Sequence, residues 1–219
     1  MIFVNYKTYA EASGERALAL TKILEEVARA TQTKIIPVVQ VIDAETVINS
    51  TQLEVWIQHV DPVSYGPYTG WVLPQEVAKS GVRGVFLNHS EHKFPDWNSL
   101  SLAVEKCKEA SLKTLVFAAD INELKQVLTL RPDYLAYEPP ELVGSTTTSV
   151  STAKPEIVKE ASEYAKASGI PLIVGAGIHS QEDVRKSLEL GAAGVAVATD
   201  VVKAQDPKAE LIDLTEGFR

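Results

Sequence analysis

Gly84-Val85-Phe86-Leu87 is a short apolar run that stops abruptly on Asn88-His89-Ser90-Glu91, and the same pattern returns along the chain. Comparable runs are Ile2–Asn5, Lys34–Gln40, Val55–Gln58, Thr114–Ala118, Tyr134–Tyr137, Pro171–Val174 and Gly194–Ala198, which with Gly84–Leu87 gives eight candidate strands. Between them lie apolar residues at helical spacing: Leu18, Ile23, Val27 and Ala30, then Leu100, Val104 and Cys107, then Ile157, Val158, Ala161 and Ala165, then Val184, Leu188 and Leu190. Asp43, Asp120, Ser180 and Asp206 suit helix starts, because their side-chain oxygens accept the first unpaired amide protons. The helices after Asp43 and Pro74 have room for only about two turns, and a short one is expected from Asp200 to Ala204.

Strands alternating with helices imply parallel pairing through right-handed crossovers, and eight such units close a barrel. The expectation is therefore an α/β fold, a (βα)8 barrel of the TIM type, as one domain over residues 1–219. The competing architecture is an open doubly wound sheet, which uses five or six strands and a glycine-rich first turn; no such turn follows Ile2–Asn5.

Composition excludes several classes. The 219 residues are 45% hydrophobic, enough for one sizeable core, and no run approaches the roughly 18 apolar residues of a membrane span. Ile2–Asn5 enters a strand without signal-peptide features, so a cytoplasmic protein is expected. A formal net charge of −8 argues against a nucleic-acid or anionic-membrane partner. Cys107, the one cysteine, falls on the inner face of a helix and excludes an intrachain disulfide. The four histidines form no HxH or HExxH spacing, so no metal site is read; His59, His92 and His179 are taken as structural or surface residues.

In a barrel the site gathers where strands end at their carboxyl side. Those ends are Asn5-Tyr6-Lys7, Asn88-His89-Ser90-Glu91, Glu138-Pro139-Pro140, Gly175-Ala176-Gly177 and Ala198-Thr199-Asp200. Glu138, directly after an apolar strand, is partly desolvated and suits a proton acceptor, although a strand-end cap would look the same. His89, with Ser90-Glu91 able to start a short helix whose amides face the ring, suits a neutral hydrogen-bond donor; a structural strand-end histidine is the alternative. Lys7 reaches the mouth or lies solvated at a loop start. Gly177 and Ala198-Thr199-Asp200 suit a close backbone approach to phosphate. The polar stretch 139–155 is long for such a loop and reads as a lid, an undecorated flexible loop being the alternative.

Asn5-Tyr6-Lys7-Thr8-Tyr9, Asn88-His89-Ser90-Glu91 and Tyr137-Glu138-Pro139-Pro140-Glu141-Leu142-Val143-Gly144 together resemble the signature segments of the triosephosphate isomerase family. With the later Gly-Ala-Gly and Gly-Val-Ala-Val-Ala-Thr segments, the resemblance covers nearly the whole chain, and the short length is similar to the archaeal branch. The resemblance implies Glu138 as base, His89 as electrophile, and Lys7 with Asn5 stabilising the enediolate, Glu91 holding Lys7 and Ser90 supporting His89. It also implies substrate contacts from Tyr6, Val143, Gly144, Gly177, Ala198 and Thr199, and no metal or organic cofactor. Gly66-Pro67-Tyr68-Thr69-Gly70-Trp71 resembles the loop by which one subunit enters its neighbour, with Thr69 near the partner's site, which implies a homodimer or a homotetramer. Three departures from the family stand out: Ser145-Thr146 in the lid, Asp200 where a small neutral residue is common, and His92 where an arginine or lysine is frequent. The Asp200 carboxylate would repel phosphate unless engaged as a helix cap. The alternatives are another phosphate-binding barrel enzyme and a barrel that binds sugar phosphate without turnover.

Overall fold

The computed structural model describes residues 1–139 and 149–219. Its strands are β1 (Ile2–Asn5), β2 (Ile35–Val39), β3 (Trp56–Ile57), β4 (Gly84–Leu87), β5 (Lys113–Ala118), β6 (Tyr134–Tyr137), β7 (Leu172–Val174) and β8 (Gly194–Val197). Each pairs in parallel with the next, and β1 closes on β8 with Ile2 opposite Val195. The helices are α1 (Glu15–Thr31), α2 (Ala44–Ile48), α3 (Pro74–Lys79), α4 (Trp97–Glu109), α5 (Ile121–Thr129), α6 (Val150–Ala153), α7 (Pro155–Ala167), α8 (Gln181–Glu189), α9 (Thr199–Val202) and α10 (Pro207–Glu216). None of the described helices is long and apolar enough to cross a membrane.

Because strand side chains alternate, each strand feeds two cores. Ile2, Val4, Ile35 and Val39 belong to the shell between barrel and helices, whereas Phe3, Ile36, Val38 and Trp56 fill the interior with Phe86, Phe117 and Ile173. Inside, Phe3 meets Trp56 edge-on at 5.1 Å and Phe86 meets Phe117 at 4.9 Å, pairs worth about 0.5–1.5 kcal/mol each beyond their burial. The Trp56 indole fits only because its neighbour on β4 is Gly84, where a Cβ would overlap the ring. Cys107 lies in the shell, fully buried, and burial pushes its thiol up to about 12.

The helix starts follow local chemistry with one exception. Asp120 accepts from Asn122 and Glu123 amides, Ser180 from Asp183, and Asp206 from Lys208 and Ala209. Asp43 precedes α2 but does not cap it; its Oδ1 accepts from the Gly14 amide at 3.1 Å, tying the loop after β1 to the one after β2. The helix expected from Asp200 to Ala204 starts one residue earlier, at Thr199, and ends at Val202.

Candidate active site

Strand alternation predicts which residues line the mouth of the barrel. Two positions beyond the interior residues Phe3, Ala136 and Ala196 come Asn5, Glu138 and Ala198, and all three border one cavity. On β4 the alternation is broken. Asn88 has a φ of +63°, and its side chain turns outward, Nδ2 donating to the Phe117 carbonyl at 3.1 Å and to Glu123 Oε1 at 2.8 Å. His89 takes the inward place, its ring edge-on to Phe117 at 4.8 Å.

The cavity, about 470 Å³ of empty space with its open mouth included, is lined by Asn5, Lys7, His89 and Glu138 and by Gly177, Ala198, Thr199 and Asp200. His89 Nε2 lies 3.1 Å from Glu138 Oε2, and the Glu91 amide donates to His89 Nδ1 at 3.2 Å. An Nδ1 that accepts from an amide carries no proton, so this network assigns the proton to Nε2, the nitrogen facing the carboxylate. The turn after His89 is not a helix, yet it delivers the amide expected of one. Glu138 is buried, and its Oε2 receives no well-aligned hydrogen bond among the described residues. The other oxygen, Oε1, rests against Gly175, where a Cβ would stand 2.9 Å away.

Lys7 adopts a φ of +46°, a left-handed conformation that costs a non-glycine residue about 1–2 kcal/mol. Three contacts hold it there. Its amide donates to Asn5 Oδ1 at 3.0 Å, its carbonyl accepts from Gln58 Nε2 at 2.8 Å, and its Nζ meets Glu91 Oε1 at 2.6 Å. Thr199 is fixed from the first loop as well, its Oγ1 lying 3.0 Å from the Tyr9 hydroxyl.

Not every expected residue reaches the cavity. Tyr6, expected beside the substrate, is fully buried in the shell instead, its hydroxyl 2.8 Å from Thr21 Oγ1 and its acidity suppressed by burial. Strand alternation explains this, since Tyr6 has the parity of Val4 and faces α1. Ser90 is half-buried and does not line the cavity. Val143, Gly144 and the Ser145-Thr146 departure lie outside the described residues, as does most of the expected lid; from Ser149 onward the stretch forms α6. Asp200 does not cap α9; its Oδ1 pairs with His179 Nδ1 at 2.8 Å. His92 makes no ion pair among the described residues and stacks on His59 with ring centroids 4.1 Å apart. Beside the cavity, Lys7, Tyr9, Gln58, His59, Glu91 and His92 border an open hollow of about 990 Å³. On the loop 66–71, Tyr68 and Trp71 are exposed.

Sequence reasoning gave no role of their own to Gln58, Gly175 and Tyr9. Gln58 was findable, because it stands two residues past the interior Trp56. Gly175 and Tyr9 act through contacts to residues far away in the chain, which no local pattern announces. Among the described residues no three of His, Cys, Asp and Glu are grouped to hold a metal ion.

Residues 1–216 match the family described as Triosephosphate isomerase. Over 213 residues the chain is 37% identical to a triosephosphate isomerase of Thermoplasma volcanium, covering 97% of this chain and 98% of that one. It is 37% identical over 216 residues to the enzyme of that name from Methanocaldococcus jannaschii, with 98% of both chains covered. Identity to the Methanothermus fervidus triosephosphate isomerase is 38% over 216 residues, 98% of this chain and 96% of that one.

Proposed function

The chain belongs to the triosephosphate isomerase family, and on that premise we propose that Glu138, His89, Lys7 and Asn5 carry its reaction at the cavity mouth. The reaction is the aldose–ketose isomerisation between dihydroxyacetone phosphate and D-glyceraldehyde 3-phosphate, a step of glycolysis and gluconeogenesis. The observation that carries the residue assignment is the convergence of the Glu138 carboxylate, the His89 imidazole and the Lys7 ammonium, from three distant strand ends, on one cavity of about 470 Å³.

Glu138 Oε2 takes a proton from C1 of dihydroxyacetone phosphate, leaving an enediolate, and the same oxygen returns a proton to C2. A buried carboxylate whose Oε2 has no well-aligned donor among the described residues suits that role. His89 gives its Nε2 proton to the C2 oxygen and takes the proton of the C1 hydroxyl in return, so that one hydrogen passes from O1 to O2, and the Glu91 amide on Nδ1 keeps the ring in the donating tautomer. Lys7 and Asn5 face the developing negative charge, an electrostatic contribution that grows as water is excluded. At the far wall, the Gly177, Ala198 and Thr199 backbone binds the phosphate; the first amides of α9 have no acceptor within that helix. Glu91 serves as a positioning residue for both Lys7 and His89. No metal or organic cofactor enters these steps.

We read residues 1–219 as one barrel domain and place the enzyme in the cytoplasm, where glycolytic phosphates are exchanged. It functions as a homodimer at least, with the loop Gly66 to Trp71 of one subunit entering the hollow beside Lys7, Glu91 and His92 of another. The exposed Tyr68 and Trp71 rings support this, as apolar surface that a monomer has no use for. A coupled assay with glyceraldehyde 3-phosphate tests the assignment: Glu138→Ala should lose at least about 10²-fold in kcat while keeping the parent's circular dichroism. Equal turnover in parent and variant would remove Glu138 from the mechanism.

A further inference from the structure

His179 stands behind the cavity wall, in contact with the lining residue Asp200, and has no part in the proton transfers. It sits in the loop after β7, five residues past Val174, where its backbone amide donates to Asp183 Oδ2 at 3.1 Å. Its Nδ1 stands 2.8 Å from Asp200 Oδ1. A carboxylate can only accept, so the proton of that bond rides on Nδ1. The other ring nitrogen, Nε2, is buried with no hydrogen-bond partner among the described residues, so the ring's one polar tie is to Asp200. Asp200 itself lines the cavity beside Gly177 and Thr199. A carboxylate at that wall confronts a doubly charged phosphate, and like charges in a partly desolvated pocket repel strongly.

The surroundings add to the problem that His179 meets. Glu210 on α10 has its carboxyl held above the ordinary value by burial first, then by the charges of Asp200 and Asp213, with His179 acting in the opposite direction. Glu210 thus feels the charges of Asp200, Asp213 and His179 together. Lys203, one turn beyond Thr199, is engaged over the Tyr9 ring at 5.3 Å. His179 is therefore the basic side chain in direct contact with Asp200 among the described residues.

We propose that His179 is a positioning residue for phosphate binding, holding the Asp200 carboxylate through Nδ1 and so offsetting its repulsion of the substrate. The two residues form a compensating pair: the carboxylate is tolerated at the phosphate wall because the imidazole stands behind it. This rests on the phosphate lying against Gly177, Ala198 and Thr199.

The test is a double-mutant cycle in the full-length enzyme, read as KM for glyceraldehyde 3-phosphate, Ki for inorganic phosphate, and kcat. His179→Ala should raise KM and Ki on the order of tenfold with kcat within about twofold of the parent. His179→Asn, which keeps a donor near the position of Nδ1, should recover part of that loss. Asp200→Ser should lower both constants, and adding His179→Ala to Asp200→Ser should then change neither. An equal KM penalty for His179→Ala with and without Asp200 would overturn the proposal, as would a loss confined to kcat. If Asp200→Ser and His179→Ala both leave KM and Ki at parent values, the phosphate lies elsewhere, and the proposal falls together with that placement. A rise in KM from Asp200→Ser would also overturn it, because the carboxylate would then be assisting binding.

Discussion

Gly175→Ala should separate catalysis from stability more sharply than any change to a charged residue. Gly175 follows β7 directly, and a Cβ built on its backbone falls 2.9 Å from Glu138 Oε1 and 3.5 Å from the Glu138 carboxyl carbon. Ordinary contact begins near 3.4 Å, so the carboxylate must retreat by about half an ångström. The retreat is easy for the fold, because the displaced atom is the tip of a flexible side chain and the Gly175 backbone is not in the left-handed region. Losing a glycine also restricts the unfolded chain, which alone stabilises by about 0.4–1 kcal/mol. For the reaction the retreat is costly. Oε2, now 3.1 Å from His89 Nε2, must stay within roughly 2.6–3.2 Å reach of the substrate proton it abstracts. A displacement near 1 Å costs on the order of 100-fold in rate, so half of that should cost roughly 10-fold, or about 1.4 kcal/mol of barrier. The assay is steady-state turnover of glyceraldehyde 3-phosphate beside thermal unfolding of the same preparation. The expected result is kcat reduced on the order of tenfold, KM within about threefold, and a melting temperature at or slightly above the parent's. Parental kcat in a correctly folded variant would refute the claim that Gly175 sets the position of the base.

Two further predictions follow from the hollow beside Lys7. Trp71→Glu should shift sedimentation toward the monomer and lower kcat; a parent that already sediments as a monomer would remove the docked loop. Burial first, and the charge of His92 second, hold His59 below its ordinary value of 6.5, so the unfolded chain takes up a proton that the native state resists. This contribution to stability is complete above about 6.5 and declines as the pH falls below it. His92→Asn should flatten that decline in urea unfolding between pH 7 and 5, and an unchanged slope would show that the stacked pair plays no part.

The barrel was legible because eight apolar runs must be strands if the intervening segments are helices, and their parity fixes which side chains face inward. Parity places Asn5 and Glu138 at the mouth from Phe3 and Ala136 alone, and applied consistently it sends Tyr6 to the outer shell and Gln58 toward Lys7. Motif resemblance, which treats Asn5-Tyr6-Lys7 as a unit, hides that difference. His89 lies beyond parity, since only the left-handed Asn88 brings it inward, and nothing local in the sequence states that φ. Asp200 is conspicuous as a charge beside a phosphate site, but the sequence does not give its partner, 21 positions away on a neighbouring loop. The capping reading of Asp43 failed for the same reason, its carboxylate being claimed by Gly14 from another unit of the barrel.

The aromatic stack of Phe3, Trp56, Phe86 and Phe117 turns the barrel from a tube into a cul-de-sac. Whatever arrives at Glu138 must depart through the doorway it came in by. Two triose phosphates cannot queue from opposite sides, so each turnover ends with the chamber emptied before another begins. The net direction of flux is still set by the ratio of the two sugars relative to their equilibrium, and either one, in excess, obstructs the other.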